Sequence, residues 1–78
     1  PSNVYPTRDG LVLIAANQDT VFGRLCVAMG RPELAQDPRY VSHVARGANQ
    51  AELDDLVGRW TSTLPTKEVL RILAEPET

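Results

Sequence analysis

A chain of 78 residues has room for one domain, and a domain of that size buries only about 60% of the surface its unfolded form exposes. Hydrophobic residues make up 42% and charged residues 23%, a globular rather than a disordered composition. The formal charge of -2, with the eight Lys and Arg scattered along the chain, gives no basic face for nucleic acid, and the longest apolar run, residues 11–16, is far too short to span a bilayer.

Residues 4–5 and 11–16 are candidate strands on either side of Pro6, Thr7, Arg8, Asp9 and Gly10. Asp-Gly is turn chemistry because Gly accepts positive φ, so a hairpin with a loop of four or five residues is expected. The second run is continuously apolar and reads as a strand buried on both faces. Val21, Phe22, Leu25, Cys26 and Met29 follow one helical face, predicting a helix over 19–29. Asn17 or Asp19 would cap it, and Gly30 with Arg31 and Pro32 would end it. Gly23 within it is either a solvent-facing position or a point of close helix approach.

A short turn over 32–35 leads to Asp37-Pro38, read as an N-cap and a Pro at the first helical position. Two helical turns over 38–44 would then put Tyr40, Val41 and Val44 on one side. Asn49 and Glu52 have capping-box spacing and open a helix to about residue 61 with Leu53, Leu56, Val57 and Trp60 on its inner face. Pro65 breaks the chain, and Thr66 would cap a last helix carrying Val69, Leu70, Ile72 and Leu73. The expected class is α+β, one hairpin followed by three or four amphipathic helices, forming a single domain over 1–78.

Few residues point to chemistry. His43 has no second His or Cys at ligand spacing, which leaves no metal site. No Ser lies in a nucleophile elbow, and phosphate-binding and redox motifs are absent from the sequence. Cys26, the one cysteine, reads as a small buried hydrophobe and fits a reducing cytoplasm. Glu52, Asp54 and Asp55 read as a solvated helix face. The exception is Asn17, Gln18 and Asp19, three polar residues where an apolar strand turns into a helix, a place where free backbone N–H groups and the helix dipole favour anions. Capping alone would also account for them.

The segment 1–10 (P-S-N-V-Y-P-T-R-D-G) followed by the apolar strand L-V-L-I-A-A resembles the opening of the small domain of family III CoA-transferases, the CaiB/BaiF, formyl-CoA transferase and acyl-CoA racemase group. The likeness runs on through Phe22, Leu25 and Cys26, then Gly30 to Leu34, Asp37 to Tyr40, Arg46, Asn49, Leu53, Trp60, and Glu68 to Leu70. It covers nearly the whole chain in order.

The resemblance implies a fragment of an enzyme that moves CoA between carboxylic acids, with a CoA thioester as substrate and no tightly bound cofactor. In that family the nucleophile is an aspartate of a large domain, which forms covalent acyl and CoA intermediates. No catalytic residue is therefore expected in this chain, and alone it should be inactive. Its partners would be the large domain of its own subunit and that of a second subunit in an interlocked, cytoplasmic homodimer, together with acyl-CoA. Racemase members place an acid-base glutamate near the position of Asp19, and transferases carry Asn-Asp-type residues there. The resemblance thus makes Asn17, Gln18 and Asp19 expected substrate contacts, with Ser2 and Tyr5 near the same mouth. The other readings are an acyl-CoA racemase small domain or a stand-alone protein-interaction module. The glycine-rich loop that precedes this segment in transferases is missing, and Pro76, Glu77 and Thr78 depart from the family's A-G-V-P-type continuation. Apolar surface that other parts of such a protein would cover is expected on the chain.

Overall fold

The computed structural model describes residues 2–16 and 18–74; the readings that fall on Asn17, on the side chain of Ser2 and on residues 75–78 lie outside the described residues. Strand β1 (Ser2–Pro6) pairs antiparallel with β2 (Leu11–Ala15). The helices are α1 (Asp19–Ala28), α2 (His43–Ala48), α3 (Gln50–Thr61) and α4 (Thr66–Ala74), with a 3-10 turn at Pro32–Gln36 between α1 and α2. The α+β class and the hairpin-then-helices order are as expected from the sequence.

Register follows from the loop. Thr7 N–H donates to the Gly10 carbonyl at 2.8 Å, closing a four-residue connection that sets Pro6 opposite Leu11 and Tyr5 opposite Val12. The turn does not need the left-handed backbone that Asp-Gly suggested. Among the described residues the glycine with positive φ is Gly30, at 75°. There it ends α1, where a side chain would be strained. At Gly23 a Cβ would meet nothing within 4 Å, so the open position, not the close approach, describes that glycine among the described residues.

The second strand is buried on one face only. Val12 and Ile14 are buried, whereas Leu11 and Leu13 are each 68% exposed. An isolated hairpin has two faces and the helices cover one of them, so the period-2 alternation of a strand leaves the other bare. Val4, directly across from Leu13, adds to that outer apolar face.

Beneath the inner face lies a core of Tyr5, Val12, Ile14, Phe22, Leu25, Cys26, Leu34, Tyr40, Leu53, Val57 and Val69. The i, i+3, i+4, i+7 stripe of α3 delivers Leu53 and Val57 to it, with Leu56 and Trp60 half-buried beside them. This packing, rather than intrinsic propensity, holds helices of six to twelve residues that would be marginal alone.

Three local expectations were displaced by side chains reaching further than local spacing suggested. Residues 38–42 do not form a helix. Asp37 instead holds a turn, accepting the Arg39 N–H at 2.9 Å, while its carbonyl takes the Tyr40 N–H. Helix α2 starts later, capped by the Ser42 hydroxyl on Ala45 N–H at 3.1 Å. Tyr40 is buried, but Val41 and Val44 are exposed. The Asn49–Glu52 box does not form: Asn49 donates its side-chain amide to the carbonyls of Arg39 and Ala45, and Glu52 accepts from Tyr40 and Arg39. At α4 the hairpin loop performs the capping. Asp9 Oδ1 accepts the Thr66 N–H at 2.8 Å and the Thr66 hydroxyl at 2.9 Å, and these bonds hold the Asp9 carboxyl below its usual range. No helix among the described residues is long and apolar enough to cross a membrane.

Candidate functional site

The hairpin register places Ser2 opposite Ala15, so the start of β1 and the end of β2 meet at one edge of the fold. Next to that edge Gln18 and Asp19 open the first turn of α1. Gln18 occupies the N-cap position with extended backbone (φ -78°, ψ 146°) and makes no side-chain capping bond. Asp19 follows as the first helical residue. Its carboxylate does not cap the helix as one reading of the sequence had it; Oδ1 accepts from Arg46 Nη2 at 2.7 Å.

Arg46 entered the sequence reading only as one residue of the family likeness and was given no part in the site. It stood among scattered basic residues, and nothing in its own segment marks it. In the fold its side chain is 5% exposed while that of Asp19 is 74% exposed. Its Nη1 donates to the Tyr40 carbonyl at 2.9 Å, and its guanidinium lies 4.7 Å from the Phe22 ring centre, a cation–π contact in a mostly dry setting. The side chain thus joins the turn at 37–40, α2 and the first turn of α1. The signal that could have found it is spatial and cannot be read from spacing along the chain.

Tyr5 lies elsewhere. It is buried beside Val12, and its hydroxyl donates to Asp54 Oδ1 at 2.6 Å. Burial first, and then that bond to a carboxylate, raise its ionisation above the ordinary tyrosine range. Tyr40 repeats the arrangement with Glu52, its hydroxyl donating at 2.7 Å, and burial with that bond pushes it up to about 12. Residues two apart on a helix do not share a face, so Glu52 and Asp54 serve different tyrosines on different sides of α3. Both were expected to be merely solvated; each instead satisfies a tyrosine hydroxyl. Asp55 does lie in solvent, paired with Arg59 one turn on.

Of the sequence-predicted contacts, Gln18 and Asp19 share the turn and Ser2 enters the same edge through backbone pairing. Tyr5 is directed inward to α3 instead. Beside this turn lies a pocket of about 150 Å³ lined by Ala15, Ala16, Val21, Arg24, Ile72 and Leu73, among others. Small-molecule sites run about 300–1,000 Å³, so this recess is smaller than a whole ligand site. Among the described residues no group of three His, Cys, Asp or Glu is gathered as a metal site. His43 is exposed at the start of α2. Cys26 is fully buried, and burial pushes its thiol up to about 11.

A hairpin whose end turns into a helix, with a buried arginine fixing the carboxylate at that turn, defines an α+β unit that offers a small polar edge beside an apolar recess. Residues 1–77 match the profile of CoA-transferase family III. Over 62 residues the chain is 63% identical to succinyl-CoA–D-citramalate CoA-transferase of Chloroflexus aurantiacus, a match covering 78% of this chain and 15% of that protein. It is also 39% identical over 71 residues to the succinyl-CoA–L-malate CoA-transferase beta subunit of the same organism, covering 90% of this chain and 18% of the relative. A crystal structure of a CAIB/BAIF family protein from Brucella suis superposes with a TM-score of 0.90 at 35% identity, over 95% of this chain and 20% of that one. The chain belongs to CoA-transferase family III. It spans between about one seventh and one fifth of the length of these relatives.

Proposed function

We propose that this chain serves in an enzyme that moves coenzyme A from succinyl-CoA to a small dicarboxylic or hydroxy-dicarboxylic acid, and that Ser2, Asn17, Gln18 and Asp19 contribute one wall of its acyl site. The observation that carries the substrate class is the 63% identity to a relative named for succinyl-CoA and D-citramalate. The geometry is consistent with a wall rather than a centre: a recess smaller than a whole ligand lies beside a polar turn at the end of a strand. The attacking carboxylate belongs to another domain of the complete enzyme, so no catalytic residue is assigned here. Tyr5 contributes by fixing β1 on α3 through Asp54. The complete protein works as a cytoplasmic homodimer in which this unit faces a large domain.

A carboxylate wall suits this chemistry through shape and polarity. The acids exchanged are themselves anions, so Gln18 and the exposed backbone of the turn would meet their oxygens, while Asp19, already paired with Arg46, would face their hydroxyl or methylene carbon. The test is a CoA-exchange assay on the complete polypeptide carrying this chain, with succinyl-CoA as donor and a panel of acids as acceptors. Citramalate or a close C4–C5 acid should become the new thioester. Inversion of an acyl-CoA α-carbon without exchange would replace this reading with the racemase one. Binding of a protein partner with neither reaction would replace it with the interaction-module reading.

A further inference from the structure

We infer that Arg46 is a positioning residue whose task is to aim the Asp19 carboxylate at the acyl site, an assignment that rests on the acyl-wall reading above. Each group around Arg46 has a separate part. Nη1 is held by the Tyr40 carbonyl at 2.9 Å, and the flat face of the guanidinium lies 4.7 Å from the Phe22 ring centre. Two anchors on different elements therefore fix the plane of the fork, and Nη2 is left directed at Asp19 Oδ1, 2.7 Å away. The arrangement is asymmetric. The cation is 5% exposed and the anion 74%, so the buried member is immobilised and the exposed member is presented to the outside.

Fold stability alone is a poor explanation for that arrangement. A buried guanidinium gives up its hydration, and well-packed apolar side chains of similar volume are often as stabilising. Arginine offers what an apolar residue cannot, a rigid fork that fixes the direction of a bond rather than only its length. Gln18 makes no side-chain capping bond, so among the described residues the Arg46–Asp19 pair adds a polar link from the first turn of α1 to the elements behind it, beside the buried ring of Phe22. Asp19 without Arg46 would keep its charge and lose its direction.

The experiment is a double-mutant cycle on kcat/KM in the complete CoA-transferase, using Arg46→Met and Asp19→Asn, with thermal melting of each variant as the control for folding. Misplacing a group that orients substrate costs roughly tenfold to a hundredfold, and that loss is expected for R46M in the otherwise unaltered enzyme. In the D19N background the same change should alter the rate by less than about twofold, because independent sites add and sites acting through one another do not. R46K, which keeps the charge but not the fork, should recover only part of the loss and supplies the cycle if R46M does not fold. An equal fall in both backgrounds would overturn the proposal, since Arg46 would then act apart from Asp19. So would an unchanged R46M beside an impaired D19N, which leaves the acyl-wall reading standing. A D19N enzyme of full activity would remove the wall reading and this proposal with it.

Discussion

Replacing Tyr5 by Phe removes one hydroxyl and little else, which makes its cost calculable. The ring stays buried against Val12. The lost bond is the 2.6 Å contact from the hydroxyl to Asp54 Oδ1. Asp54 is half-buried and also accepts from Asn3 Nδ2 at 3.3 Å, so water and Asn3 remain to solvate it and no buried group is orphaned. Hydrogen bonds to charged groups contribute about 1.5–3 kcal/mol, and the partial exposure of Asp54 sets this one at the low end, about 1.5 kcal/mol. In a domain of this size that corresponds to a fall in Tm of about 6–12 °C. Urea unfolding at neutral pH should show a lower midpoint with unchanged slope. In a cycle with Asp54→Ala, the double variant should cost little more than the worse single variant, because both changes delete one bond. The pH dependence gives a second reading. The Tyr5 ionisation is raised above its ordinary 10.0, so its contribution is intact below pH 10 and is lost as pH rises beyond it. Y5F should lose stability less steeply above pH 10 than the parent. A Y5F chain within about 0.5 kcal/mol of the parent at neutral pH, a typical surface effect, would refute the reasoning.

Three further outcomes follow from single features. Asp37 is held at about 2 by its side-chain and backbone bonds with Arg39, and Glu33 and Glu68 are lowered by Arg31 and Arg71. Their stabilisation is full above their unfolded values near 4 and is lost as pH falls towards 2, so denaturation midpoints should drop in that window and drop less in D37N. Cys26, fully buried with its thiol pushed up to about 11, should resist a disulfide reagent at pH 8 in the folded chain and react rapidly in urea; fast reaction of the folded form would contradict the packing of α1. Gly30→Ala forces a Cβ into the left-handed region at φ 75° and should cost about 1–2 kcal/mol, read by the same urea titration.

What the sequence made legible was whatever repeats along it. The stripe of α3, the face of α1 and most of that of α4 were readable because helical burial follows a 3.6 period that is written in residue types. Leu70, expected on the α4 face, is exposed because that side of the helix has no neighbour among the described residues. The two-sided burial of residues 11–16 was misread because Leu11 and Leu13 carry the composition of a core strand while lying on a face that the helices do not reach. Composition reports what a position tolerates, and topology decides what covers it. The same limit applied to capping. Asp9 bonds Thr66, 57 positions away, and Asp54 bonds Tyr5, 49 positions away; spacing rules built on three or four residues have no access to either. At the candidate site the polar triplet stood out because it interrupts an apolar run. Arg46 did not, since its burial depends on two other elements, the turn at 37–40 and α1.

The most direct test of the acyl-wall claim is the kcat/KM of Asp19→Ala in the complete CoA-transferase with succinyl-CoA as donor and citramalate as acceptor. If the turn before α1 faces the substrate, the value falls roughly tenfold to a hundredfold in a variant that still unfolds cooperatively, with a lowered melting temperature because the buried Arg46 loses its carboxylate. An unchanged kcat/KM in a folded variant would mean that residues 17–19 only start a helix.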